Sequence, residues 1–384
     1  MTSNAVAAAR CWVEVDLDAL RANLAWIRHR VGPKVRVITV VKADAYGHGL
    51  KSIAALLMQS GTDMFGVATL AEASAIRSVG AGWPILMLGA ALPDEVESAI
   101  RDDVMLTLST SAELQVIAAC AERLKRKAFV HLKVDTGMGR LGVAPEGAVA
   151  LATQVRSSPH VELAGLYTHY ANVEEEASFT RNQRLTFRRI RDLVRAHAGD
   201  PEWVHAANSG GLLLELPDTC SAVRPGLLVY GIYPPGSRLG NRPHPDPFKP
   251  ALAWKAKVSL VKEVSAGTRL SYGGTFTARK RMRVATVTAG YGDGYMRAAS
   301  GQSEVLIQGR LCPVLGCVTM DQMLVDVTRL ALVRPGEEVV LLGKQGSGWI
   351  RAEDLSTWMG TIPWEVLTSI TYRVPRVYRG GQAA

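Results

Sequence analysis

Lys42 closes the apolar run Val40-Val41 and opens the segment Lys42-Ala43-Asp44-Ala45-Tyr46-Gly47-His48-Gly49. A lysine at the end of a buried strand is partly desolvated, which lowers its pKa and suits it to Schiff-base chemistry. Taken alone, it reads more readily as a lysine marking the water edge of a strand. Further along, Lys133-Val134-Asp135-Thr136-Gly137-Met138-Gly139-Arg140-Leu141-Gly142 sets an arginine among glycines. Such a run marks backbone passing close to a ligand, or a plain Gly-rich turn. His169 ends the run Tyr167-Thr168-His169, where a lone histidine is more often structural. Ala207-Asn208-Ser209-Gly210-Gly211 precedes an apolar helix and offers N–H groups and a hydroxyl to a phosphate, or only an N-cap. Arg224-Pro225-Gly226 adds a second arginine and a glycine whose N–H a phosphate can approach.

These segments do chemistry together only if the fold brings them to one face. The first half alternates β-branched runs with segments of helical spacing. Strands are expected at Val35–Val41, Met64–Ala68, Ile85–Leu88, Val104–Leu108, Phe129–Val134, Leu163–Thr168, Trp203–Ala206 and Ala222–Arg224. About eight strand–helix units in about 230 residues is the size and rhythm of a (β/α)8 TIM barrel, with a doubly wound open sheet as the rival. In a barrel, active sites sit at the C-terminal strand ends, and the last two loops there often hold phosphate. Lys42, Arg140, His169, Asn208, Ser209, Arg224 and Gly226 all stand at or beyond the C-terminal ends of expected strands. A lysine, a phosphate cradle and two arginines on one face are what a pyridoxal-phosphate enzyme needs. No metal site is expected.

The pattern breaks at residues 234–250, where prolines crowd a polar stretch that reads as a linker. Beyond it, Trp254–Val264, Arg283–Thr288, Val305–Gln308, Leu324–Val327 and Val339–Leu342 read as strands, with one helical stretch around Ala352–Ile370. The division expected is therefore a barrel at 13–233 and a mostly β C-terminal domain at 251–384, with residues 1–12 able to pack against the second.

Composition narrows the class. Net charge is +9, yet the densest basic stretch, Arg181 to Arg195, interleaves its arginines with Leu185, Phe187, Ile190 and Leu193. That is an amphipathic helix with a solvated face, and no aromatic stacking module accompanies it, so nucleic-acid binding is not expected. The five cysteines, Cys11, Cys120, Cys220, Cys312 and Cys317, are odd in number and form no CxxC pair. This fits reduced thiols in a cytoplasmic protein. Residues 1–12 lack the pattern of a secretory signal, and no apolar run is long enough to span a membrane.

From about Val13 to Tyr378 the sequence resembles the alanine racemase family. The cofactor-lysine signature matches Val41–Gly49 and the barrel-arginine motif matches Lys133–Gly142. Ala207–Ser209 and Arg224–Gly226 match as well. In the second half the matches are Ser271-Tyr272-Gly273, Gly290-Tyr291-Gly292-Asp293-Gly294, Met320-Asp321-Gln322 and Tyr372-Arg373-Val374-Pro375-Arg376. The resemblance implies pyridoxal 5'-phosphate held by Lys42 as a Schiff base. Tyr46, Ser209, Gly226 and Tyr372 would hold its phosphate, with Asn208 and the Leu227 N–H as helpers. Arg224 would face the pyridine nitrogen, with His169 in its network. Arg140 would approach the phenolic oxygen and the substrate carboxylate. Lys42 and Tyr272 would be two bases for L- and D-alanine, Tyr272 and the Met320 region reaching the site from the partner subunit of a homodimer. Lys133 matches a lysine that the family often carries carbamylated; an unmodified lysine paired with a carboxylate is the alternative. D-alanine supply for a cell wall is implied by the family only.

Two positions depart from the usual pattern. Gly292 stands where alanine is frequent, and Thr319 where cysteine or serine precedes the methionine. Both bear on pocket volume, and one methylene is worth only about 1–3 kcal/mol of discrimination, so a broader racemase accepting serine is the near alternative. A decarboxylase of the ornithine or diaminopimelate type would place an acid at the pyridine nitrogen, and Arg224 argues against it. A non-catalytic pyridoxal-phosphate-binding protein would resemble the barrel alone, and Tyr272 and Tyr291 in the second half argue against that.

Overall fold

The computed structural model describes residues 9–173, 175–214, 220–234 and 246–381. Most of the expected linker lies outside these residues. The first strand, β1 (Cys11–Asp16), belongs to the β sheet described below. The next eight are β2 (Arg36–Val40), β3 (Met64–Val67), β4 (Ile85–Ala90), β5 (Val104–Leu108), β6 (Ala128–Lys133), β7 (Val161–Tyr167), β8 (Trp203–His205) and β9 (Ala222–Val223). They form a closed parallel barrel in chain order, β9 returning to β2 through Arg36↔Ala222 and Val37↔Val223. Closure rules out the open doubly wound sheet.

The helices are α1 (Leu17–Val31), α2 (Leu50–Met58), α3 (Leu70–Arg77), α4 (Pro93–Arg101), α5 (Ser111–Leu124), α6 (Ala148–Arg156), α7 (Ala177–Ala198) and α8 (Ser209–Leu214). Their starts follow local chemistry. Thr69 with Glu72 and Thr110 with Glu113 form capping boxes on α3 and α5, each satisfying helix N–H groups that have no intrahelical acceptor. Pro93 occupies the first turn of α4, where its missing N–H costs nothing. On α7, Thr180, Gln183, Phe187, Ile190 and Val194 are buried at three- and four-residue spacing. The arginines of that helix therefore fall on its solvated side. Among the described residues no helix is long and apolar enough to cross a membrane.

Among the described residues, the second compact unit gathers 9–20, 46–48 and 249–381. Its strands are β10 (Leu252–Val264), β11 (Arg269–Leu270), β12 (Phe276–Thr277), β13 (Met282–Val287), β14 (Glu304–Ile307), β15 (Arg310–Leu315), β16 (Met323–Asp326), β17 (Glu338–Gln345), β18 (Gly348–Ile350) and β19 (Arg376–Arg379), with helices α9 (Ala352–Met359) and α10 (Pro363–Thr368). Nine strands make one sheet in the order β18-β17-β14-β15-β16-β13-β10-β1-β19. β1 runs antiparallel to β10 and parallel to β19. Val264, Leu270, Ala278, Met282, Val284 and Leu315 form one core cluster of this unit. The sequence reading begins its first element at a helix after Asp16. It misses β1 because a six-residue strand far from its partners carries no local signal of pairing. No disulfide links any two of the five cysteines.

Inside the barrel, Ile38, Met64, Leu86, Trp203 and Ala222 pack together from five strands. The Arg36 guanidinium lies 4.5 Å over the Trp203 ring. Trp203→Ala removes the largest member of this layer and should cost about 3–5 kcal/mol, read as a lower urea midpoint of unfolding. A loss below about 1 kcal/mol would mean that the layer collapses to fill the space.

Candidate active site

Lys42 stands directly beyond β2 and begins a turn of the wrong hand. Ala43, Asp44, Ala45 and Tyr46 all have φ between +53° and +55°. For residues with a Cβ this costs roughly 1–2 kcal/mol each, so the turn persists only because its neighbours over-determine it. Glu72 is the main clamp. Its Oε1 accepts the Ala43 N–H at 2.7 Å, while its Oε2 accepts the Ala68 N–H at 2.8 Å and closes the capping box of α3. Asp44 Oδ1 accepts the Leu50 N–H at 2.7 Å, and the Asp44 carbonyl accepts the Gly49 N–H at 2.9 Å. Burial, then the Arg140 charge, hold the Lys42 amine below its ordinary value, with Glu72 opposing.

The loop after β6 is built by one carboxylate. Asp135 Oδ1 accepts N–H groups from Gly137 at 2.9 Å, Met138 at 2.9 Å and Gly139 at 3.1 Å. Burial pushes the Asp135 carboxyl up, but these bonds outweigh it and hold it below its ordinary value. Gly142 has φ +118°, and a Cβ there would lie 2.8 Å from the Asp135 nitrogen. Only glycine fits where the loop folds back on its own strand. Gln183 of α7 ties the loop to the next one, donating to Thr136 Oγ1 and to the His169 carbonyl, both at 3.1 Å. Lys133, buried at the end of β6, is pushed down to about 8 by burial first, then by Arg140, Arg224 and Lys42, against Asp135. No carboxylate among the described residues lies within ion-pair distance of it.

Tyr167 ends β7 as a buried plate between cations. Its hydroxyl meets Thr107 Oγ1 at 2.7 Å. Arg224 and Lys133 lie over its ring at 5.2 and 5.7 Å, and His205 stacks on it at 4.7 Å. Arg224 is buried, and neutral acceptors satisfy it. Nη2 donates to the Thr168 carbonyl at 2.8 Å, the Ala206 carbonyl at 3.0 Å and His169 Nδ1 at 3.2 Å; Nη1 donates to His205 Nδ1 at 2.6 Å. Burial pulls Arg224 down to about 10, which still leaves it charged at neutral pH. Burial and the Arg224 charge, followed by Arg140, Lys133 and Lys42, hold His169 well below its ordinary value.

The last two loops meet at Ser209, whose Oγ accepts the Gly226 N–H at 2.9 Å and the Leu228 N–H at 3.4 Å. Asn208 works as a cap: its Oδ1 accepts the Gly211 N–H at 2.9 Å and its Nδ2 donates to the Tyr170 carbonyl at 3.4 Å. Leu227 is buried at the start of a short 3-10 turn. Tyr46 is buried, and burial pushes its phenol up.

Three other expected residues lie in the β unit and are exposed: Tyr272 by 74%, Met320 by 53% and Tyr372 by 99%. Tyr272 rides on a sharp turn with Ser271 at φ +64°, pinned by the Ser271 hydroxyl donating to the Cys317 carbonyl at 2.6 Å. The Met320 carbonyl accepts the Gly292 N–H at 2.8 Å. Over Gly292 lies the Arg373 guanidinium, 3.0 Å from where a Cβ would be; it pairs with Asp293 and Asp321, each at 2.8 Å.

Five groups were missed from sequence: Glu72, Asp135, Gln183, His131 and His205. His131 and Lys133 sit two apart on β6, hence on one face, and His205 ends β8. Polar residues on a buried barrel strand were the signal available.

The family model for the alanine racemase N-terminal domain matches residues 15–234, and that for the C-terminal domain matches 251–378. The chain belongs to the alanine racemase family. It thereby stands among the isomerases. The alanine racemase of Symbiobacterium thermophilum is 41% identical over 375 residues, 97% of this chain and 98% of that one. The crystal structure of alanine racemase from Streptomyces lavendulae superposes with TM-score 0.91 at 35% identity, covering 97% of each chain. That of the Bartonella henselae alanine racemase, described with covalently bound pyridoxal phosphate, gives TM-score 0.86 at 29% identity over 97% of this chain and all of that one.

The residues fit such a group. Lys42, Lys133, Arg140 and Arg224 act on one another through their charges, and an anion with several charges would relieve them. Ser209 gathers N–H donors from Gly226 and Leu228 at the last two strand ends, where barrels hold phosphate.

Charge sets the expected behaviour of Lys42. Glu72→Gln keeps a hydrogen-bond acceptor but removes a negative charge, so it should lower the pH midpoint of Lys42 acylation. Arg140→Met removes a positive charge and should raise it. Peptide mass spectrometry of protein labelled before cofactor is added reads both, and no movement in either would refute this electrostatic account.

Proposed function

We propose that this protein interconverts L- and D-alanine with pyridoxal phosphate carried on Lys42. The observation that carries the reading is the lysine itself: an amine of lowered pKa on a clamped left-handed turn, beside Lys133, Arg140 and Arg224, none of which has a carboxylate within ion-pair distance among the described residues. The bound cofactor would supply an electron-withdrawing ring that acidifies the substrate's Cα–H. Everything else falls to the protein's own groups.

Racemisation removes a proton from one face of Cα and returns one to the other, so two bases are needed. Lys42 serves one face. Tyr272, contributed by a second copy of the chain, serves the other. Its exposure in a single chain suits a group completed by assembly, as does that of Met320, which we place near the substrate. Ser209, Gly226, Leu227, Tyr46 and Tyr372 bind the phosphate, and Asn208 orders Ser209 by capping α8. Arg140 binds the phenolic oxygen and the substrate carboxylate. Lys133 has an appreciable neutral fraction near neutral pH. It can therefore take up carbon dioxide as a carbamate, releasing a proton and giving Arg140 an anion to pair with.

Arg224, with His169 beside it, faces the ring nitrogen. A guanidinium does not hand over its proton at neutral pH. Arg224 would therefore leave the ring nitrogen unprotonated and limit the side reaction of transamination. Two domains, a barrel that ends at 233 and a mostly β domain at 251–384 that β1 joins, a homodimer and a reduced cytoplasmic setting complete the reading.

The direct test is chiral analysis after adding L-alanine, with L-serine in parallel, alongside an absorbance spectrum before and after borohydride. D-alanine and a borohydride-sensitive cofactor–lysine band are expected. A band without D-alanine would redirect the reading to another substrate or to cofactor binding alone. Arg224→Glu should raise transamination relative to racemisation, and an unchanged ratio would sink the assigned role of Arg224. Mixing Lys42→Ala with Tyr272→Phe should restore part of the activity through hybrid dimers. Failure to complement, once subunit exchange is verified, would count against a shared site.

A further inference from the structure

His131 has no part in the roles above, yet its ring is wholly buried and two local devices make room for it. β6 and β7 pair Val130 with Leu163 and next His131 with Gly165, so Ala164 is an extra residue in β7. A bulge of this kind re-aims a side chain. Gly165 then leaves its face bare: a Cβ there would lie 2.4 Å from His131 Nδ1 and 2.5 Å from its Cγ. The imidazole fills the space that any larger residue at 165 would take.

His131 Nδ1 lies 2.9 Å from His205 Nε2, and His205 Nδ1 lies 2.6 Å from Arg224 Nη1. A guanidinium has donors only, so His205 Nδ1 must be the bare nitrogen. Neutral His205 then carries its proton on Nε2 and donates it to His131 Nδ1. Neutral His131 in turn carries its proton on Nε2, and that buried N–H meets no acceptor among the described residues. Both rings are neutral, because burial and the Arg224 charge push His131 down to about 3 and hold His205 well below its ordinary value. An unpaired buried donor costs about 1–3 kcal/mol. The fold keeps this cost at a position it has shaped with a bulge and a glycine.

We propose that His131 is a positioning residue: by accepting the Nε2 proton of His205 it locks the tautomer that leaves His205 Nδ1 bare, and so holds the Arg224 guanidinium in place. Without that acceptor His205 can shift its proton to Nδ1, where it would meet the N–H of Arg224 head on. The effect on chemistry rests on the reading of Arg224 as the group facing the ring nitrogen; the hydrogen-bond chain does not.

Nitrogen NMR of histidine-labelled protein, as purified, reads the tautomers. The unaltered protein should show His131 and His205 both as Nε2–H forms that do not titrate across the neutral range. His131→Leu should release His205 into its other tautomer or into exchange, and should raise transamination relative to racemisation several-fold. His131→Asn, whose amide oxygen lies near the former Nδ1, should restore both. Gly165→Ala, which displaces the ring, should copy His131→Leu and carries the test if that variant does not fold. An Nδ1–H form of His205 in the unaltered protein would overturn the proposal, as would an unmoved His205 in His131→Leu. A shifted tautomer with an unchanged product ratio would overturn the link to Arg224. Absence of racemisation in the unaltered protein, with both tautomers as drawn, would overturn the functional reading and leave the chain of hydrogen bonds standing.

Discussion

A buried guanidinium without a carboxylate is the constraint around which the barrel's upper face is organised. Isolated charges are expelled from protein interiors unless hydrogen bonds replace their water. Arg224 finds that replacement in two backbone carbonyls and two imidazole nitrogens. Every one of those acceptors is neutral, so the charge is solvated without being cancelled. Burial is the larger cause, but the field of Arg224 adds to it in holding His169 and His205 well below their ordinary values and in pulling Lys133 down to about 8. A carboxylate partner would have stabilised the arginine and silenced its influence on everything around it.

The same face shows how strand ends convert an ordinary fold into a reactive one. β2 ends at Val40, and four successive residues with left-handed backbone follow Lys42. Glu72 serves helix α3 and this turn at once, so the start of one helix and the placement of the amine are a single structural decision. Asp135 does comparable work for the arginine loop, using one carboxylate to order three consecutive N–H groups. In both places the carboxylate is bonded to backbone N–H groups, and among the described residues it forms no ion pair with Lys42 or Lys133.

Much of this was legible in the sequence because barrels write their period plainly. Val104–Leu108 is placed to the residue, and the other barrel strands fall within two residues of expectation at either end. Lys42, Arg140, Ser209 and Arg224 stood out as strand-end residues of the right chemistry. What stayed hidden depends on distance in the chain. Nothing local in Cys11–Asp16 says that it pairs with β10 and β19. Glu72 caps α3, and only the fold shows that it also grips the lysine turn. His131 looks like one polar residue in an apolar strand; its meaning lies in His205 and in the glycine of the next strand.

The placement of β1 has a consequence in time. It lies between β10 and β19, and its Glu14 pairs with Arg379 across 365 positions of chain. During synthesis from the N-terminus, β1 emerges early and waits with both edges open while the barrel strands close on one another. Open edges invite pairing with other chains. One edge of β1 therefore stays open until β10 has been made, after the whole barrel, and the other until β19, the last strand in the chain.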